Sequence, residues 1–189
     1  MIHVIRASEL IGLPVVSIAS GEDVAEIRDV IYDSDAHRLI GFTLNKRGMF
    51  SGRMKDTLPA ESLAAIGADA VMVADEAAIT ETATPEALDT PGAAKSVIGN
   101  RVLSADGNEL GEVVGVIIAT GATPAAVGYE VDPTDSADNV FVPISEQMAL
   151  SHDNLLLPAD ATEFIRGDLA GFGAAVVAYR ESTLPGGDR

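Results

Sequence analysis

Three histidines, His3, His37 and His152, are the imidazoles this 189-residue chain could offer to a metal ion. A zinc site would need them at short ligand spacings, often beside cysteine. Here they are scattered and cysteine is absent, so no zinc-type site is expected. Asp33-Ser34-Asp35 and the run Asp132-Pro133-Thr134-Asp135-Ser136-Ala137-Asp138 open as calcium loops do. Counting to the twelfth position lands on Leu44 and Pro143 where a glutamate is required, and neither run has glycine at the sixth, so both read as solvated turns. Gly171-Phe172-Gly173 begins a dinucleotide fingerprint, but Val176 stands where its third glycine belongs. A nucleophilic serine in a Gly-x-Ser-x-Gly elbow is lacking as well. Glu26 and Glu112 occupy equivalent places in a repeat described below and could meet as an acid–base pair across a pseudo-twofold axis; equivalent solvent-facing glutamates are the simpler reading. No catalytic, cofactor-binding or metal-binding residue is assigned, and the expectation is a protein that is not an enzyme and takes no cofactor.

One segment departs from its surroundings. Lys46-Arg47-Gly48-Met49-Phe50-Ser51-Gly52-Arg53-Met54-Lys55 holds 4 of the 12 basic residues, interleaved with large apolar ones, in a chain of formal net charge −17. Lys46, Arg47, Arg53 and Lys55, with Met49 and Phe50 as apolar anchors, would suit docking of an acidic partner, for instance the 132–138 loop of a neighbouring copy. The plainer reading is a flexible hairpin loop whose charge offsets acidic surroundings.

The elements that must position these residues come in two sets. Leu10-Ile11-Gly12-Leu13-Pro14-Val15 is answered by Val97-Ile98-Gly99-Asn100-Arg101-Val102, an offset of 87 that drifts to 86 at Gly21/Gly107 and 84 at Pro59/Pro143. A period this long is a small domain duplicated with loop-length changes. Within the first copy, Val24 to Asp33 alternates imperfectly, with Val24, Glu26, Arg28, Val30 and Tyr32 on one side of a strand and Ala25, Ile27, Asp29 and Ile31 on the other. Ser20-Gly21-Glu22-Asp23 and Asp106-Gly107-Asn108 are hairpin turns ahead of that strand and its counterpart, Glu109 to Ile118. Arg38 to Leu44 and Ala126 to Val131 read as third strands, with Gly41 and Gly128 inside them marking bends or close backbone approach. Next come a short strand into Leu58-Pro59 or Val142-Pro143, a helical turn at Glu61 to Ile66 or Glu146 to Leu150, and a last strand at Ala70 to Ala74 or Asn154 to Leu157. Several short strands with one helical turn suggest a compact β-barrel.

In these features the chain resembles the PRC-barrel family. The resemblance rests on the Ile11-Gly12 opening, the Gly21 turn, the Glu26 to Asp33 strand, the Leu58-Pro59 step and Ile66-Gly67-Ala68-Asp69-Ala70-Val71-Met72-Val73. It covers most of residues 6–75 and 95–159; the second copy departs where Ser151-His152-Asp153 replaces Gly67-Ala68-Asp69. The implied organisation is mainly β: barrel one at 1–75, a linker at 76–94 rich in Ala, Thr, Glu and Pro, barrel two at 95–159, an amphipathic helix at 160–182 and a disordered tail at 183–189. Ile165, Leu169, Phe172, Val176 and Tyr179 form a heptad-like stripe on that helix, suited to burial on a barrel or to self-association with a twin chain. Gly167, Gly171 and Gly173 oppose one continuous helix at roughly 1 kcal/mol each, and the alternative is a short helix followed by a strand at 174–179.

Function is less legible, because the shared residues are glycines, prolines and apolar positions. Residues 1–93 carry 7 basic and 15 acidic groups and residues 94–189 carry 5 and 14, so neither half is a basic nucleic-acid module. No run approaches the ~20 apolar residues of a membrane span, which points to a cytoplasmic protein. Each copy, at roughly 65–75 residues, lies near the lower limit for an independent core, so the copies are expected to pack on each other or on something else. The family resemblance implies protein binding: PRC-barrels cap membrane subunits in the photosynthetic reaction-centre H subunit and engage a ribosomal protein in a ribosome-maturation factor. The expectation is an adaptor that binds another protein and forms a homo-oligomer without touching nucleic acid directly. The alternatives are a ribosome-linked assembly factor and a peripheral membrane subunit held by the 46–55 segment.

Overall fold

Strand-forming runs dominate the chain. In the computed structural model, which describes residues 2–33, 37–47, 52–81, 97–121, 123–151 and 153–183, they form two seven-stranded sheets followed by one α-helix. The first sheet contains β2 (Pro14–Ser17), β3 (Asp23–Asp33), β4 (Arg38–Asn45), β5 (Arg53–Pro59), β6 (Leu63–Ile66), β7 (Val71–Val73) and β8 (Thr80–Glu81), in the order β6-β7-β2-β3-β4-β5-β8. The second contains β9 (Arg101–Ser104), β10 (Glu109–Ala119), β11 (Ala125–Pro133), β12 (Val140–Pro143), β13 (Ala149–Leu150) and β14 (Asn154–Leu157), in the order β12-β11-β10-β9-β14-β13. Strand for strand, the second path retraces β5-β4-β3-β2-β7-β6, including the one parallel pair, β2–β7 in the first sheet and β9–β14 in the second. The shared Ile-Gly motif does the same job twice: the Gly12 N–H donates to the Ile27 carbonyl and the Gly99 N–H to the Val113 carbonyl, each at 2.8 Å. Neither path closes on itself among the described residues.

The imperfect alternation of β3 has a physical cause. Its pairing with β4 shifts register between Ile27 and Asp29, so Ala25 and Ile27 are buried before the shift and Val30 and Tyr32 after it. The two-sided assignment made from alternation alone therefore switches faces halfway, as a β-bulge does. A matching shift lies between Val113 and Gly115 of β10, 86 positions on. The expected helical turn at Glu61 to Ile66 is a 3-10 turn (Ala60–Ser62) running straight into β6. A register shift between Leu63 and Ala65 lets Leu63 and Ile66, three residues apart, both face the core, which mimics helical spacing. In the second copy the corresponding segment is a turn followed by β13. Gly41 and Gly128 stand opposite Pro59 and Pro143 in their ladders, and a Cβ on either would strike backbone of the neighbouring strand, so the close approach expected of them is present.

Three boundaries differ from the sequence-based ones. A further strand, β1 (Val4–Arg6), pairs antiparallel with β10 at Ala119 to Ile117, so the N-terminus of the first copy completes the second sheet. Residues Glu76–Ala78 form a 3-10 turn and β8 pairs with β5, so the first sheet continues through Glu81, into the segment assigned to the linker. The rest of that linker, from residue 82 to 96, lies outside the described residues, as does the tail from 184 on. The expected single helix at 160–182 is divided into a 3-10 segment (Ala159–Phe164) and α1 (Leu169–Thr183). The break occurs where Arg166 exchanges backbone hydrogen bonds with Phe141 at 2.7 and 3.1 Å, and the Asp168 carboxylate then accepts from the Gly171 N–H at 2.7 Å at the start of α1. Gly167 falls in this break, and Gly173 admits the Ile2 carbonyl 2.5 Å from where a Cβ would sit. Residues 174–179 are helical, not extended.

The stripe assigned to self-association is used inside the chain. Phe172 and Val176 are buried on Val4, Ile117, Val127 and Phe141, and Leu169 is partly buried against the same cluster. Tyr179 is 2% exposed and packs on Phe164 with ring centroids 5.1 Å apart, while Ile165 lies partly buried at the end of the 3-10 segment. Ile165, Leu169, Phe172, Val176 and Tyr179 thus serve the second sheet and β1 and offer no stripe to a twin chain. The other large cluster runs continuously from Leu10, Ile27 and Phe42 of the first copy to Val102, Tyr129 and Leu155 of the second, so the two sheets share one core.

Candidate functional site

The basic segment forms the far end of the β4–β5 hairpin. The Lys46 N–H donates to the Gly52 carbonyl at 2.8 Å, and Asn45 faces Arg53 across the ladder. Lys46 and Arg47 at the end of β4 and Arg53 and Lys55 at the start of β5 are all exposed, whereas Met54 turns inward and is partly buried against the core. Met49 and Phe50 lie outside the described residues. The Arg47 guanidinium pairs with the Asp23 carboxylate at the start of β3, an exposed contact of the kind that adds little stability. In the second sheet the corresponding connection from β11 to β12 is acidic, and Asp132, Asp135 and Asp138 are exposed on it. Glu26 and Glu112 each stand within their own sheet: Glu26 faces Pro14 and Asn45, and Glu112 faces Arg101 and Asp132.

Among the described residues, polar side-chain contacts join the copies at several points, the buried ones at Glu130 and Tyr129. Arg6 on β1 places its Nε at 3.0 and 2.9 Å from the carboxylate oxygens of Glu130 on β11, and the Asn139 side-chain amide donates to Glu130 at 3.1 Å. Glu130 is buried, and this double satisfaction is what makes a buried carboxylate tolerable. The hydrogen bond to Glu130 holds the Arg6 guanidinium more basic than usual, and its Cζ lies 5.4 Å from the centre of the Phe141 ring. Elsewhere in the shared core, the Tyr32 and Tyr129 hydroxyls meet at 2.6 Å, and His37 Nδ1 lies 2.5 Å from the Tyr129 hydroxyl. Burial pushes both phenols above the ordinary tyrosine pKa, reinforced at Tyr32 by Tyr129 and then Asp33, and the Tyr129 hydroxyl links Tyr32 to the edge of the core. His37 occupies the turn expected of it, but with φ +50, and it is tied to the core. His3 is exposed beside Thr120; His152 lies outside the described residues.

These contacts escaped sequence reasoning, although the repeat carried a signal. Tyr32 aligns with Ile118 and Tyr129 with Phe42, so a hydroxyl appears once in each pair where the other copy is apolar.

The PRC-barrel domain family matches residues 2–78. Over those residues the chain is similar to a PRC-barrel domain. A search of curated proteins returned no match to the chain. The matched span includes β1, so one of its strands belongs to the second sheet in space. Among the described residues, no helix is long and apolar enough to cross a membrane.

Where the first sheet meets the second, a groove of about 200 Å3 opens on the repeat's own pseudo-symmetry. Its walls are paired by the offset of the two copies: Ile11 with Ile98, Asp29 with Gly115, Val30 with Val116. Arg6 and Glu130 also line it, and Val114, exposed at the β10 bulge, adds a further apolar side chain. Ile11, Ile98 and Val114 are 51%, 42% and 41% exposed, which sets them apart from the buried apolar positions of the strands around them. The signal for this site was present in the duplicated Ile-Gly motif: an isoleucine kept in both copies next to a turn glycine, yet facing outward.

Proposed function

We propose that this chain is a non-enzymatic adaptor that binds another protein through the basic hairpin of its PRC-barrel domain and self-associates through the same surface. A PRC-barrel domain points in general to protein interaction. The observation that carries the finer reading is the gathering of Lys46, Arg47, Arg53 and Lys55 at one exposed end of a chain whose formal charge is −17. A local cationic patch in an acidic field is a recognition feature, because it steers acidic surfaces to one place. The described ends of this hairpin and the acidic 132–138 turn belong to two sheets that share one core. A hairpin seated on the turn of the next copy is a heterologous contact, which builds rings or chains of copies.

The test replaces Lys46, Arg47, Arg53 and Lys55 by Glu and compares sedimentation and affinity capture with the parent chain. The expected result is loss of self-association and of the captured partner, with the parent's association weakening as salt is raised. Unchanged association and capture would remove the hairpin from the reading.

A further inference from the structure

We propose that the groove between the two copies is a second docking site, which accepts a large aliphatic side chain from a basic segment of a partner protein. This inference deepens the adaptor reading and rests on it, but uses a different surface. Three observations carry it. The groove's volume, about 200 Å3, falls below the ~300–1,000 Å3 of sites for small molecules and cofactors, while its walls are those of a socket for one side chain. Its apolar lining comes from both copies, with Ile11 and Ile98 contributed by the same motif and Val114 exposed at a bulge that recurs in the two sheets. Bulges re-aim side chains, and an exposed apolar cluster framed by polar groups is a common mark of an interaction surface.

Charge decides the occupant. Arg6 is the cation lining the groove, and it is engaged by Glu130 and, at 3.4 Å, by Glu9. With Asp29 on the wall, the lining holds two carboxylates, Asp29 and Glu130, against one guanidinium, inside a chain that is acidic in both halves. Apart from its basic hairpin, which is seated on the acidic 132–138 turn in the adaptor reading, a second copy of this acidic chain would meet repulsion there. A segment with Leu, Ile or Met flanked by Lys or Arg would meet an apolar socket and an anionic rim together.

The probe is a short capped peptide, Lys-Lys-Leu-Lys-Lys, titrated into the full chain labelled at its isoleucine and valine methyl groups and followed by NMR. Two companions replace the leucine by alanine or all the lysines by glutamate. Saturable shifts at Ile11, Ile98 and Val114, weakened roughly tenfold by the alanine companion, abolished by the glutamate one and reduced by salt, are the expected result. Ile98→Gln and Val114→Gln are exposed, uncharged changes that leave the fold intact, and each should weaken the peptide by a similar factor. Equal binding of the leucine and alanine peptides, or shifts centred on the 132–138 turn, would mean charge attraction alone and would overturn the proposal. So would a dimer of the parent chain that Ile98→Gln dissociates, since the occupant would then be a second copy. Because the hairpin reversal is scored separately, a silent groove beside a hairpin that captures its partner rejects this site and leaves the adaptor reading standing.

Discussion

Tyr129 is the hinge of the polar contact between the copies, because its single hydroxyl serves both Tyr32 and His37. Replacing Tyr129 by Phe leaves both neighbours without their shared partner and should cost about 1–3 kcal/mol, whereas Tyr32→Phe leaves Tyr129 bonded to His37 and should cost about 0.5–1.5 kcal/mol. Both phenols are held protonated by burial, with pKa raised above the unfolded value. Their contribution is therefore complete below about pH 10 and is lost as pH rises further, when the unfolded chain gives up protons that the folded chain keeps. Each such phenol steepens the decline by at most about 1.4 kcal/mol per pH unit. Urea unfolding of the parent and both variants at neutral and alkaline pH checks the order and the slope. A larger loss for Tyr32→Phe, or an unaltered alkaline slope in Tyr129→Phe, would contradict this account.

β1 and α1 illustrate how far an element's role departs from its place in the chain. β1 belongs to the matched PRC-barrel span but pairs with β10, and Val4 packs with Phe172 and Val176 of α1. The N-terminal strand therefore bridges the second sheet and the C-terminal helix. Ile5 faces Ile118 in this ladder, and proline there removes a backbone donor and constrains the strand. The expected consequence of Ile5→Pro is faster hydrogen exchange at residues 117–119 and over α1, remote in sequence, with the amides of β6 and β7 protected as before. Loss of protection confined to the first sheet would show that β1 does not act through β10. The same logic explains α1: a helix with an apolar stripe facing a bare sheet buries that stripe within its own chain before a second chain can compete.

The molecule is two similar sheets with one shared core, joined by Arg6–Glu130, by Tyr32–Tyr129 and by the exchange of β1. Copies of roughly 65–75 residues are marginal alone, and burying one against the other supplies the missing apolar contact. Urea unfolding should therefore be a single cooperative transition reported identically by the strands of the first sheet and by those of the second. Two separated transitions would mean that the junction contributes little.

Local pattern was enough to reveal the mainly β class and the likeness of residues 2–78 to a PRC-barrel domain, because the turn glycines and apolar runs that specify strands and hairpins act over a few residues. The basic hairpin was legible for the same reason: Asn45 and Arg53 are brought together by a short connection. Period-based reasoning failed at Leu63 to Ile66 and along β3, where bulges shift the pleat by one residue and alternation reports the wrong face. The exchange of β1, the division of the C-terminal helix at Arg166, the Tyr32–Tyr129–His37 contact and the groove at Ile11 and Ile98 were decided only by the tertiary structure. Each depends on contacts between residues about 25 to 124 positions apart, and which of those form is settled by how two sheets fill one core, a competition that no local spacing records.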